Sequence, residues 1–153
     1  MKLLLDTTYF LPAIGVSVKG VPRDAVVKLI ERGHEVSMSE ITFFELSAKG
    51  AKYVAAGVLT PGRVTRGIRA LLYDDRVGKV PVYDTPILLT AFELRRVLSD
   101  FIDCLILSTA INRADALMTE DRDIREIPSE KAFRDIIRDL NPEFEIKRLE
   151  DII

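Results

Sequence analysis

The sequence contains one cysteine, Cys104, and one histidine, His34. A lone cysteine forms no internal disulfide, and two such residues are too few for a zinc site built from histidine and cysteine. A Ser–His–Asp triad would depend on His34, which lies between Gly33 and Glu35 at an expected helix end, and no G-x-S-x-G elbow is present. The Walker loop and the G-x-G-x-x-G turn are also missing, which argues against a nucleotide cradle. Long apolar runs are scarce. MKLLLDTTYF is interrupted at Asp6, too soon for a signal peptide, and no stretch reaches the roughly 20 apolar residues of a membrane span. The expectation is a soluble, unprocessed, cytoplasmic protein with no membrane partner, and the unpaired cysteine fits such a reducing compartment.

Acidic residues are absent from Leu46 to Tyr73, a stretch that carries Lys49, Lys52, Arg63, Arg66 and Arg69. From Asp115 to the end there are 12 acidic and 7 basic residues, and the whole chain carries a net charge of −2. A basic stretch in an otherwise acidic chain is either a phosphate-binding surface or a solvated helix face. The remainder is ordinary for a globular domain: 153 residues, 48% hydrophobic and 30% charged. A chain of this size buries about 70% of its unfolded surface, so residues 1–153 are expected to form a single domain with one core.

Residues 2–5, KLLL, read as a buried strand ending at Asp6. Helices are predicted at 23–32, 40–56, 60–73, 85–98, 102–113 and 129–139, with Gly33 and Gly57 as stops and Pro61 and Pro86 in first turns. Short strands are predicted at 35–38, 80–83, 116–119 and 144–148, with 120–123 as an acidic turn. Strands alternating with helices imply an α/β fold with a mostly parallel central sheet. Ligand crevices in such sheets lie beyond the carboxyl ends of the strands, where Asp6 and Asp121 are expected.

Two further acids stand on apolar helix faces. Ile41, Phe44, Glu45 and Ala48 form one i, i+3, i+4, i+7 stripe, and Asp103, Ile106, Leu107 and Ala110 form another. An isolated ionised carboxylate in a dry site costs several kcal/mol, so it must be paired, hydrated or bound to a metal. Each acid also has a purely structural explanation. Asp6 could punctuate a strand, Asp121 could serve a turn, Asp103 could favour a helix dipole, and Glu45 could pair with Lys49. Together they suit a hard cation such as Mg2+ or Mn2+, which activates water and stabilises the oxygens of a phosphodiester. The basic stretch after Glu45 could then hold a polyanionic backbone.

Four segments in this order resemble the PIN-domain nucleases, and particularly the VapC-like ribonucleases of toxin–antitoxin systems. They are LLLDTTYFLPA with Asp6, SEITFFEL with Glu45, DFIDCLILSTAI with Asp103, and ALMTEDRDI with Thr119, Asp121 and Asp123. The resemblance spans essentially the whole chain and implies a three-layer α/β/α sandwich. It also implies a Mg2+- or Mn2+-dependent endoribonuclease, RNA as substrate, a homodimer and a small antitoxin partner.

By match to the family, Asp6, Glu45, Asp103 and Asp121 are the catalytic acids. Asp6, Asp103 and Asp121 would hold the metal, with Asp123 assisting. Lys49, Lys52, Arg63, Arg66 and Arg69 would bind substrate, while Thr119, on the substrate side, would support the carboxylates by hydrogen bonding. Glu40 competes with Glu45 for the second acidic position, but reads more naturally as part of a helix start. The competing functions are a non-catalytic RNA- or protein-binding module and a DNA-directed nuclease. A receiver-like phosphoacceptor fits poorly, because Lys2 and Asp6 do not reproduce its pattern of acids and lysine.

Overall fold

Lys2–Leu5 form strand β1, in which Leu3, Leu4 and Leu5 are fully buried. A strand apolar on both faces belongs inside a parallel sheet covered on each side. The computed structural model, which describes residues 1–153, has this arrangement. Strands β1, β2 (Glu35–Ser39), β3 (Val77–Val80), β4 (Ala116–Met118) and β5 (Glu145–Lys147) lie in the order 3-2-1-4-5. Every neighbouring pair is parallel, with Leu3 opposite both Val36 and Ala116.

Strand alternation divides the apolar core into two layers. Leu3, Leu5, Met38 and Met118 face one side and pack with Leu29, Leu46 and Val64. Those partners come from α1 (Ala25–Glu31), α2 (Ile41–Ala55) and α3 (Pro61–Leu72). Leu4 and Leu117 face the other side and pack with Leu94, Ile106, Ile124 and Phe133. These come from α4 (Thr85–Leu94), α5 (Phe101–Arg113), α6 (Arg122–Glu126) and α7 (Lys131–Leu140). The result is the expected α/β/α sandwich, with a sheet that is parallel throughout. No helix is long and apolar enough to cross a membrane.

One element has no counterpart among the expected ones, and three local expectations are corrected. Residues Thr7–Ile14 form a 3-10 helix, whereas the β-branched and aromatic run TTYF carries no helical signal. The Asp6 carboxylate accepts the Thr7 amide and caps this turn, and Tyr9, Phe10, Leu11 and Ile14 anchor it in the core. Strand β3 occupies 77–80 rather than 80–83, because Pro81 has no amide hydrogen to continue the ladder. The acidic turn at 120–123 opens helix α6, capped by Asp121. On α2 the buried positions are Thr42, Leu46 and Gly50, while Phe44 is 62% exposed. The core face of α2 is therefore rotated from the predicted stripe, and Glu45 lies at its border.

Candidate active site

Strand order reverses between β1 and β4, so the connections leaving them diverge and open a crevice at their carboxyl ends. Asp6 follows β1 directly, and its amide extends the pairing by donating to the Met118 carbonyl at 2.9 Å. Only 7% of Asp6 is exposed. One of its carboxylate oxygens accepts the Thr7 amide at 2.8 Å, and the other accepts the Thr119 hydroxyl at 2.7 Å. The same Thr119 hydroxyl accepts the Asp121 amide at 3.0 Å. Asp121 Oδ1 in turn accepts the Ile124 amide at 3.0 Å at the start of α6. One fully buried threonine thus links two of the acids.

The other two acids arrive from helices. Glu45 projects from the middle of α2, half-buried, and its Oε1 accepts the Thr7 hydroxyl. Asp103 stands in the first turn of α5, where the Asp100 side chain caps the helix by accepting the amides of Ile102 and Asp103. Asp6, Glu45, Asp103 and Asp121 line a common cavity of about 210 Å³, together with Lys49 and Glu120 and with no hydrophobic residue. Glu40 is exposed at the start of α2 and does not line this cavity, which favours Glu45 as the second acid.

The carboxyls of Asp6, Glu45 and Asp103 are held above the ordinary carboxylate range. Burial pushes Asp103 up to about 7, reinforced by the charges of Asp100, Asp6, Asp121 and Glu45. Burial also raises Asp6 despite hydrogen bonds from Thr119 and Thr7, with Asp121 adding repulsion and Lys49 opposing it. Glu45 is raised by burial and by Asp6, against the Thr7 hydrogen bond and Lys49. Glu120 behaves differently. Burial acts to raise it, but bonds from Leu149, Tyr9 and Arg148 prevail and hold it below the usual range.

Most of these donor groups are carboxylate or hydroxyl oxygens, the hard chemistry that suits Mg2+ or Mn2+. As the side chains are positioned, no three acidic groups close on a common point in the manner of a metal-binding cluster. Thr7 and Thr119 occupy oxygens of Glu45 and Asp6, leaving other lone pairs of each carboxylate available. The donor set therefore fits a hard divalent ion in chemical kind.

The remaining expected residues are dispersed. Asp123 is exposed and lines a separate hollow with Glu126 and Glu130. Lys49 joins the acids, whereas Lys52, Arg66 and Arg69 are exposed on α2 and α3. Arg63 is half-buried and donates to the carbonyl oxygens of Ala13 at 2.6 Å and Pro12 at 3.5 Å. Thr7, Thr8 and Glu120 line the cavity without having been singled out from the sequence as site residues. The two hydroxyls directly after the strand-ending Asp6 were the available signal for Thr7 and Thr8.

Comparison with solved structures returns the same framework. A chain of a toxin–antitoxin complex from Klebsiella pneumoniae is 21% identical, with a TM-score of 0.57 over 83% of this chain and 93% of that one. A chain of VapBC2 from Rickettsia felis, bound to a DNA fragment from its promoter, is 18% identical with a TM-score of 0.58. A chain of DNA-bound VapBC from Salmonella typhimurium is 20% identical, also with a TM-score of 0.58. Both of these alignments cover 97% of this chain and 98% of the other. At such identities the likeness establishes the fold. No curated protein matches the sequence. The PIN domain family model matches residues 3–130, a span that takes in all four acids of the cavity. The chain belongs to the PIN domain family.

Proposed function

We propose that this PIN domain, acting as one unit over residues 1–153, is a Mg2+- or Mn2+-dependent endoribonuclease that hydrolyses RNA phosphodiesters. The observation that carries this reading is the polar cavity in which Asp6, Glu45, Asp103 and Asp121 meet at the switch point of the parallel sheet. When bound, the cation supplies Lewis-acid stabilisation of charge on the phosphodiester. Asp6, Asp103 and Asp121 would hold it through their carboxylates, with Asp123, in the separate hollow, assisting by its charge. Glu45 orients the attacking water with the oxygen that Thr7 leaves free. Thr119 keeps Asp6 and the Asp121 backbone in register. Lys49 offsets phosphate charge beside the acids, while the exposed Lys52, Arg66 and Arg69 attract the backbone further along. Arg63, expected to bind substrate, instead anchors the 3-10 helix after β1 through its guanidinium.

The structural neighbours come from toxin–antitoxin complexes, which supports reading this chain as a toxin restrained by an antitoxin. That the antitoxin is small and the toxin acts as a homodimer in the cytoplasm is what the family resemblance implies. The test is incubation of a mixed structured RNA and a single-stranded DNA with the protein, in Mn2+ and in EDTA. The expected result is RNA fragments in Mn2+ only, with the DNA intact. No RNA fragments from folded protein would contradict the nuclease and favour a binding module. DNA fragments would reassign the substrate.

A further inference from the structure

Glu120 separates Thr119 from Asp121, so it occupies the centre of the loop that carries one of the four acids. Its carboxylate is held from three directions. Oε1 accepts the Tyr9 hydroxyl at 2.7 Å and the Leu149 amide at 2.9 Å, and Oε2 accepts Arg148 Nε at 3.3 Å. Tyr9 is 2% exposed and lies in the 3-10 helix that starts directly after Asp6. The two loops at the sheet edge are therefore joined twice, by Asp6 to Thr119 and by Tyr9 to Glu120.

The other two anchors come from the far end of the chain. Arg148 and Leu149 lie beyond residue 130, where the match to the PIN family ends. Leu149 is buried in the core layer that contains Leu3 and Leu5. The Arg148 amide donates to Asp151 at 2.7 Å and its guanidinium to Glu150 at 2.6 Å, so the C-terminal turn is itself held in shape. A carboxylate with three donors is a strong fixed point, because charge-assisted hydrogen bonds are roughly twice as strong as neutral ones.

We propose that Glu120 is a positioning residue, clamped by Tyr9, Arg148 and the Leu149 amide, which fixes the 119–121 loop and makes the C-terminal segment part of the site's framework. The clamp acts through Thr119 and Asp121 rather than on the substrate. Its bearing on catalysis rests on the nuclease reading above, whereas its hold on the loop does not.

The test compares Tyr9→Phe, Arg148→Gln, Glu120→Gln and Glu120→Ala by RNA cleavage in Mn2+ and by amide hydrogen exchange over residues 117–122 without added metal. Tyr9 and Arg148 do not line the cavity. Loss of either donor is expected to lower kcat about three- to tenfold with KM within about twofold, the scale of one hydrogen bond. Glu120→Gln retains an oxygen for Tyr9 and Leu149 and is expected to rescue most of what Glu120→Ala loses. Exchange over 117–122 is expected to quicken in Tyr9→Phe and most in Glu120→Ala.

Glu120→Gln as inactive as Glu120→Ala, beside an unaffected Tyr9→Phe, would overturn the proposal and assign Glu120 a direct role. Unchanged exchange in Tyr9→Phe and Arg148→Gln would overturn it as well. A wild type that cuts no RNA would refute the nuclease reading alone, because the exchange measurement still decides the clamp. Tyr9→Phe removes a single oxygen, so this arm survives if Glu120→Ala fails to fold.

Discussion

Thr119 carries no charge and is fully buried, yet its hydroxyl donates to Asp6 and accepts from the Asp121 amide. Replacing it with the isosteric valine leaves one Asp6 oxygen without its donor in a dry site. Thr119→Val should lose about 1–3 kcal/mol of stability in denaturant unfolding, together with a marked loss of cleavage. The acids themselves impose the opposite kind of cost. Asp103 is raised to about 7, and Asp6 and Glu45 are raised in the same direction. A carboxyl whose folded pKa exceeds its unfolded value favours the folded state fully below the ordinary carboxylate range near 4, and that benefit is lost as pH rises through the folded value. Metal-free protein should therefore melt at a lower temperature at pH 8 than at pH 5.5, and Asp103→Asn should flatten the dependence. Equal slopes in the two proteins would remove Asp103 from the coupled cluster.

The first 3-10 helix and α3 meet with unusually little room. A Cβ at Gly67 would lie 2.2 Å from the Ala13 carbonyl oxygen, whereas one at Gly50 would meet a Val64 methyl at 2.5 Å. Backbone yields less readily than a side chain, so Gly67→Ala should destabilise more than Gly50→Ala. For Gly67→Ala the expected loss is about 3 kcal/mol, the upper end of overpacking effects, read from urea midpoints. This junction also shows where sequence reading stops. The KLLL strand, the capped helices and the parallel order follow from periodicity and turn chemistry, which are local. The 3-10 helix at 7–14 does not, because burial of Tyr9, Phe10 and Ile14 overrides an extended preference. The stripe that singles out Glu45 includes Phe44, yet Phe44 is exposed. Glu45 stands out because a carboxylate near a core face is unusual, although the core face itself is formed by Thr42, Leu46 and Gly50. Arg63 could not be separated from its basic neighbours, since its partners Ala13 and Pro12 lie about 50 residues away.

Across the whole molecule, a net charge of −2 says little about an anionic substrate, whereas the placement of charge says more. Four carboxylates, from the residue after β1, from α2 and α5, and from the loop after β4, converge where the strand order reverses, with Lys49 beside them. The fold brings like charges together at a cost, and a cation that binds only the folded state offsets that cost. The decisive measurement is the melting temperature of wild type and Asp103→Asn, with and without millimolar Mn2+ at pH 8. The four-acid site predicts that the metal-free variant melts above metal-free wild type, and that Mn2+ raises wild type clearly and the variant much less. A wild type unmoved by Mn2+, or a variant shifted equally, would contradict a cation site built from these four carboxylates.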